Sequence, residues 1–298
     1  MRNSYLRVVV PLFAVIGWLL LALPVAAQTI QPPFDSAYSF VDLGSPGVPA
    51  QHGGLTFKFD DPNILLIGGR ANQSSGQLFA IGVLRDADNH ITGFTGTPTV
   101  FADAAFNDGG VAYGPDNVLF LARWPVNQIG QTTPGSTITD KIVDLAPLGV
   151  APSPGGLNFV PPGFPGAGQL KIVSWSGGQF YTLTFIADGT GTFDITNAAF
   201  ETTLPGGSEG FVYITPGSPL FEGLELRMMV SEFSAGKLVA YQIDANGAPV
   251  VATRTEFITG WTGAEGGVID PLTGDFLFST FGGGDRVIVV RGFPPPGP

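Results

Sequence analysis

Five short glycine-containing motifs recur along the chain, and the residues in front of their glycines could do chemistry. These residues are His52, Asp108, Pro154, Glu209 and Glu265. If the fold brings them to one axis, the three carboxylates repel each other unless a cation or protons neutralise them. Because a hard cation such as Ca²⁺ takes oxygen ligands in a flexible shell, Asp108, Glu209 and Glu265 with water molecules could form a divalent metal site.

Two other interpretations of the same residues stay open. In the first, His52 works as an acid–base pair with Glu209 or Glu265, whose carboxyl pKa is raised by its surroundings. In the second, the polar groups only cap backbone amides or bond water. The residue types alone do not separate these roles.

Loops expected on the same face carry aromatic and polar side chains. All three tryptophans after residue 27 fall in these loops. Aromatic rings stack on apolar ring faces while polar neighbours bond the edges, which suits a glycan or another ring-bearing small molecule. The candidate ligand-binding residues are Arg70, Asn72, Arg123, Trp124, Trp175, Glu232, Trp261 and Phe281. Packing between neighbouring repeats is the competing role for each tryptophan.

The elements that must position these residues are repeats spaced by 46 to 56 residues. A period near 50 residues is typical of β-propellers. Each repeat starts with the glycine motif and an apolar strand, followed by a turn rich in Gly, Pro, Asn and Asp, such as residues 61–63 or 270–274. A second strand, a Gly/Ser-rich loop and a third strand follow, and a more polar fourth segment closes most repeats.

The two ends of the chain predict how a ring of repeats would close. The last repeat ends after its third strand, at residues 291–293, and residues 37–43 form a strand that belongs to no repeat. Joining the two completes the last blade and removes free sheet edges. We predict an all-β propeller of five four-stranded blades. Six blades stay possible if residues 132–148 hide extra strands, and a two-sheet sandwich would not explain the recurring glycines.

Composition and charge exclude several classes of function. The chain has no cysteine, which excludes disulfides, thiolate metal sites and cysteine nucleophiles. Its net charge is −11, and nucleic acid is excluded as a partner because binding phosphates needs clustered Lys and Arg. No dinucleotide fingerprint or Walker loop occurs, so nothing indicates an organic cofactor. A monomer is expected.

The first 27 residues have the pattern of a cleavable signal peptide. Arg2 and Arg7 precede an apolar run at 8–23, and small residues at 25–27 place the cleavage before Gln28. An uncleaved anchor is the alternative, because about 20 apolar residues can span a bilayer. The expected domains are a signal peptide at 1–27, one propeller at 28–293 and a Pro-rich tail at 294–298.

The leader also predicts where the protein works. Export makes it secreted or periplasmic, and no second apolar run of spanning length follows, so the mature protein is expected to lack an integral membrane segment. An exported protein of this size without disulfides suits a bacterial source.

At Glu209-Gly210 and Glu265-Gly266 the chain resembles gluconolactonase-type (senescence-marker) and related NHL-like propellers. Members of the former place a Glu-Gly at the start of a blade, and that Glu helps to bind a divalent cation in the central channel. The resemblance covers the repeat rhythm over 51–293 and implies Ca²⁺ or another divalent cation. These families usually have six blades, and their Asn and Asp metal ligands have no assigned counterpart here.

Three functional hypotheses follow. The first is an exported propeller without enzymatic activity that binds a small ligand or glycan on one face, with or without a divalent cation. The second is a cation-dependent hydrolase, lactonase or lyase that uses His52 with Glu209 or Glu265. The third is a protein-interaction or surface-display module.

Overall fold

The computed structural model of the protein describes residues 28–221 and 226–297, which form five antiparallel sheets arranged as the blades of one propeller. The signal peptide predicted at 1–27 lies outside these residues and stays a prediction. Within them, no helix has the length and hydropathy needed to cross a bilayer.

Two strands, β1 (Thr29–Ile30) and β2 (Ser39–Asp42), precede the first complete blade. Blade 1 contains β3 (Leu55–Lys58), β4 (Asp61–Gly69), β5 (Gln77–Arg85) and β6 (Ile91–Asp103). Blade 2 contains β7 (Asn107–Tyr113), β8 (Leu119–Arg123), β9 (Gln128–Thr132) and β10 (Lys141–Asp144). Blade 3 contains β11 (Pro154–Phe159), β12 (Leu170–Ser174), β13 (Gln179–Ala187) and β14 (Phe193–Thr203).

Blade 4 contains β15 (Ser208–Ile214), β16 (Arg227–Glu232), β17 (Lys237–Gln242) and β18 (Thr255–Thr259), and blade 5 contains β19 (Ala264–Ile269), β20 (Phe276–Thr280) and β21 (Val287–Arg291). In blades 1 to 3, neighbouring strands follow one another in the chain. Residues 132–148 contribute the last residue of β9, the outer strand β10 and a short 3-10 helix (Ala146–Leu148), and no further blade, so the described residues contain five blades as predicted.

The N-terminal strands close the ring. β2 pairs with β21, with Phe40 opposite Val290, and completes blade 5. This confirms the predicted closure. β1 adds a fifth strand to blade 4 by pairing with β18, with Thr29 opposite Thr259. The sequence did not predict this second pairing, because a strand of two residues carries no periodic pattern.

An aromatic cluster fixes the N-terminal segment between blades 4 and 5. Phe34 stacks on Phe221 with ring centroids 4.8 Å apart, and Tyr38 lies 4.6 Å from Phe293. Phe293 in turn stacks on Phe276 at 3.8 Å. The first and last residues of the domain therefore share one hydrophobic core.

Truncating Phe34 is expected to weaken this closure. Phe34 is 4% exposed, and removal of a buried phenylalanine side chain costs about 3–5 kcal/mol in the free energy of unfolding. Phe34→Ala should therefore lower the denaturant midpoint strongly. The matched control is Phe200→Ala, at a ring that is 58% exposed, where about 0.5 kcal/mol is expected. Equal losses in the two variants would contradict the assigned role.

Arg85 and His90 also join blade 5 to blade 1. Arg85 binds the buried carboxylate of Asp270 through Nη1 at 2.6 Å and Nη2 at 3.1 Å. His90 Nδ1 lies 2.6 Å from Oδ2 of Asp275, which is also buried. These contacts connect the two blades at which the ring closes.

The innermost strands touch through glycine. A Cβ at Gly156 would lie 2.1 Å from Glu209 O, and a Cβ at Gly266 would lie 2.4 Å from Gly54 Cα and 2.7 Å from Gly109 O. The last of these contacts joins blades 5 and 2, which are not neighbours, so the backbones meet across the axis. The repeated glycine is therefore a packing requirement. We call the five equivalent residues the glycine collar: Gly54, Gly110, Gly156, Gly210 and Gly266.

Candidate metal centre

Strand register determines which residues are equivalent at the start of each blade. In all five blades one residue of the first strand pairs with the residue two positions before the end of the second strand. These residues are Leu55, Val111, Leu157, Phe211 and Gly267. Two positions before these residues, blades 1 to 3 have the first glycine of the motif, which is Gly53, Gly109 or Gly155. At the same position blades 4 and 5 have Glu209 and Glu265.

This register corrects the alignment expected from sequence. Asp108 precedes the glycine pair of its blade, whereas Glu209 and Glu265 replace the first glycine of theirs. The glycines that blades 2 and 3 have at this position carry no side chain, and this leaves room for the carboxylate of Glu209. A Cβ at Gly155 would lie 2.2 Å from Glu209 Oε2, and a Cβ at Gly109 would lie 3.2 Å from the same atom.

The three carboxylates converge. One oxygen from each of Asp108, Glu209 and Glu265 lies within 4.8 Å of the other two. The residues are only 2%, 4% and 1% exposed. Glu209 Oε2 and Glu265 Oε1 are buried and reach no hydrogen-bond partner in the described structure. We call these three residues the acidic cluster.

The acidic cluster is electrostatically unfavourable without a counter-charge. Burial raises the pKa of Asp108 to about 7, although hydrogen bonds with the side chains of Glu265 and Asn72 oppose the shift. Burial, followed by the repulsion of the neighbouring carboxylates, raises the pKa of Glu209 and Glu265 well above the usual range. The group must hold protons near neutral pH or bind a cation.

The residues present fit a divalent cation. Three hard oxygen donors come from three blades, and two of their oxygens have no other partner. Ca²⁺ takes six to eight oxygen ligands at about 2.3–2.6 Å, so the remaining positions would fall to water or to a ligand.

His52 lies outside the acidic cluster. Its ring is fully buried, and Nε2 lies 3.3 Å from the carbonyl oxygen of Val48. Burial lowers the pKa of the imidazole. The expected ring of four converging polar groups is therefore corrected to three carboxylates, because the His52 side chain turns toward Val48.

Four aromatic residues form an arc at the end of the propeller axis where the acidic cluster lies. We call this end the mouth of the propeller. Trp124, Trp175, Phe233 and Phe281 each follow directly after the second strand of blades 2 to 5. Their backbone N–H groups donate to the carbonyl groups of Phe106, Ser153, Gly207 and Gly263. Three of these acceptors lie two residues before Asp108, Glu209 and Glu265. The backbone of these aromatic residues is therefore joined to the segments that lead into the acidic cluster.

The aromatic arc is continuous and half-buried. Ring centroids are 5.9 Å apart between Trp124 and Trp175, 6.5 Å between Trp175 and Phe233, and 6.2 Å between Phe233 and Phe281. Blade 1 carries the exposed Arg70 at the equivalent position. The sequence interpretation missed Phe233, although its place after the second strand matches that of the two tryptophans.

Three predicted ligand-binding residues are used inside the protein. Trp261 is fully buried and packs against Phe278 at 5.7 Å, so it belongs to the core. Glu232 is 1% exposed and binds Arg254 and Tyr241, each at 2.6 Å.

Arg123 is 5% exposed and donates to Ala105 O and Gln128 Oε1. Trp261, Glu232 and Arg123 are therefore removed from the candidate ligand contacts. Arg70, Asn72, Trp124, Trp175 and Phe281 stay candidates.

Comparisons with known proteins show similarity at the level of the fold. No family model and no curated protein matches the chain. The calcium structure of a Trichoderma reesei enzyme of carbohydrate-active family AA12 is 9% identical, covers 89% of this chain and 97% of that one, and has a TM-score of 0.49.

Two further solved structures have similar values. A gluconolactonase from Xanthomonas campestris is 11% identical over 90% of this chain and 95% of that one, with a TM-score of 0.48. An auxiliary nutrient binding protein from Bacteroides ovatus is 9% identical over 85% and 76%, with a TM-score of 0.46. These solved structures include a binding protein and enzymes, and the similarity identifies no activity.

Proposed function

We propose that the protein binds a small molecule at the mouth of the propeller, around a divalent cation such as Ca²⁺ held by the acidic cluster. The observation that carries this proposal is the convergence of Asp108, Glu209 and Glu265 within 4.8 Å, almost without exposure and with two oxygens left unpartnered. A cation removes the repulsion that these carboxylates otherwise impose on the folded state.

The walls of the mouth supply the rest of the binding site. The aromatic arc spans blades 2 to 5, and the polar residues Arg70 and Asn72 lie on the side of blade 1. Aromatic rings contact the apolar face of a ring-bearing ligand, while polar groups bond its edge. The open coordination positions of the cation hold a ligand oxygen or water.

Hydrolysis of a bound ester or lactone is the second candidate function. A divalent cation can polarise a carbonyl group and lower the pKa of bound water. The carboxylates of the acidic cluster lie next to that water and are suited to accept its proton. This assignment replaces the predicted His52 pair, because His52 Nε2 faces the carbonyl oxygen of Val48 and His52 is not among the three residues that converge.

Calorimetric titration of chelator-treated protein with Ca²⁺ tests the proposal. We expect one site per chain, an increase in melting temperature on addition of Ca²⁺, and loss of both effects in Glu209→Gln and Glu265→Gln, because each variant removes a charged ligand. Asp88→Asn, at an exposed turn, is the matched control and should behave like the unmodified protein. Wild-type protein that binds neither Ca²⁺ nor another divalent cation would refute the proposed metal centre.

A further inference from the structure

A second cavity lies at the end of the propeller opposite the mouth, where blades 4, 5 and 1 meet. In every blade the first strand runs away from the mouth through the glycine collar, and the third strand runs in the same direction. The ends of β5 and β21 therefore lie at this opposite end. The loop after β5 carries His90, and β21 ends at Arg291. Both residues line the cavity, and its volume of about 500 Å³ is typical of small-molecule sites.

A buried carboxylate holds the two basic side chains of this cavity in place. Asp275 is 1% exposed, and its Oδ2 lies 2.6 Å from His90 Nδ1 and 3.9 Å from Arg291 Nε. Arg291 also donates from Nη2 to the carbonyl oxygen of Ile91 at 2.9 Å. The side chains of His90 and Arg291 are nevertheless 33% and 25% exposed. The protein therefore fixes both side chains while part of each stays accessible.

Three polar groups of the cavity wall are left for a ligand. Nε2 of His90 and Nη1 of Arg291 make no hydrogen bond within residues 28–221 and 226–297, and neither atom is enclosed by protein. Ser39 adds a hydroxyl group. It is the direct cross-strand partner of Arg291, so its exposed side chain lies on the same face of blade 5.

The rest of the wall contains no carboxylate. The other lining residues are apolar or glycine: Ala37, Gly217, Pro219, Gly292, Phe293 and Pro294. The carboxylate of Asp275 is enclosed beneath the two basic side chains, and that of Asp86 accepts from the backbone N–H groups of Asp88 and His90. A negatively charged ligand therefore meets basic groups and an apolar surface, without an acidic residue in the wall to repel it.

We propose that this cavity binds a small organic anion with an apolar body and one carboxylate group. The carboxylate lies between Arg291 Nη1, Ser39 Oγ and His90 Nε2, and the apolar body contacts the side of Pro219 and Phe293. Hydrogen bonds between charged partners are about twice as strong as neutral ones. A bound anion also favours the imidazolium form of His90, in which Nε2 donates. This site needs neither the cation nor the carboxylates of the acidic cluster.

The experiment uses benzoate as the probe, with calorimetry and saturation-transfer NMR on the full chain after a chelating resin has removed divalent cations. We expect a dissociation constant of about 1 mM or lower for benzoate. Benzamide, its neutral analogue, and acetate, which lacks the ring, should each bind about tenfold more weakly. Arg291→Gln should weaken benzoate about tenfold, because the guanidinium charge is lost. Arg286→Gln is the matched control. It removes the same charge just before β21, where Arg286 Nε lies 2.6 Å from Asp42 Oδ2, and it should bind benzoate like the unmodified protein.

Ser39→Asp tests the site without removing an arginine. The new carboxylate would lie opposite Arg291 and pair with its guanidinium, so benzoate binding should be lost while the fold is kept. If Arg291→Gln fails to fold by circular dichroism, Ser39→Asp carries the test. The proposal is overturned if benzoate does not saturate, if benzamide binds equally well, if either variant at the site leaves the benzoate affinity unchanged, or if Arg286→Gln weakens benzoate as much as Arg291→Gln. Glu209→Gln should bind benzoate normally, and loss of binding in that variant would place the probe at the mouth and would also overturn the proposal.

Discussion

Replacing Gly156 by alanine is expected to unfold the protein or to cost more than about 4 kcal/mol in the free energy of unfolding. The new Cβ would lie 2.1 Å from Glu209 O, a backbone atom of the next blade that cannot rotate away. Relief requires blades 3 and 4 to separate, which opens the packing between them. Overpacking of this kind exceeds the usual cost of about 1–3 kcal/mol for added methylene groups in a core.

The matched control is Gly93→Ala in β6. A Cβ at Gly93 meets only Leu84 Cδ1 at 3.9 Å, which is an ordinary contact. We expect this variant to be at least as stable as the unmodified protein, because alanine restricts the unfolded chain. Urea unfolding followed by tryptophan fluorescence measures both variants. A Gly156→Ala protein with an unchanged midpoint would show that the innermost strands are not in contact across the blades.

The second large effect is a stability that falls as pH rises when no metal is bound. A carboxyl group whose pKa is raised in the folded state binds more protons folded than unfolded between the two pKa values. For Asp108 this window runs from about 4, the unfolded value, to about 7. The loss of folding stability is absent below this pH window and complete above it. Glu209 and Glu265 act in the same direction.

Melting curves of chelator-treated protein between about pH 4.5 and about pH 8.5 test this sign. Ca²⁺ should restore the stability lost at high pH, since it binds the ionised carboxylates. The variant that combines Asp108→Asn, Glu209→Gln and Glu265→Gln keeps the shape of the site without its charges. It should lose both the pH dependence from this site and the response to Ca²⁺. A melting temperature of metal-free protein that increases across the same range would contradict the assignment.

The repeats were visible in the sequence because a packing rule produces them. Each blade needs glycine where its first strand meets its neighbours, so the motif recurs at a regular distance. The partner of β21 was also predictable, since residues 37–43 had strand character and no repeat to join. The convergence of the three carboxylates follows from this ring geometry.

Side-chain direction and exact register were not predictable in the same way. Glu209 and Glu265 are one position away from Asp108 in the strand register, a shift that only hydrogen-bond pairing reveals. His52 could turn toward the axis or toward Val48, and the sequence does not distinguish these directions. Trp261 and Phe233 show the same limit. Trp261 was expected on the binding face but belongs to the core, whereas Phe233 was not singled out and lies in the aromatic arc.

The pairing of β1 and β2 with blades built by the end of the chain has a consequence for assembly. Until the last strands have been made, the first segment of the domain has nothing to pair with, and β18 and β21 lack their outer neighbours. Two chains that exchange these N-terminal segments would satisfy the same contacts in a domain-swapped dimer. The linker from residue 43 to residue 54 then determines whether β1 and β2 pair with blades of the same chain or with blades of another chain.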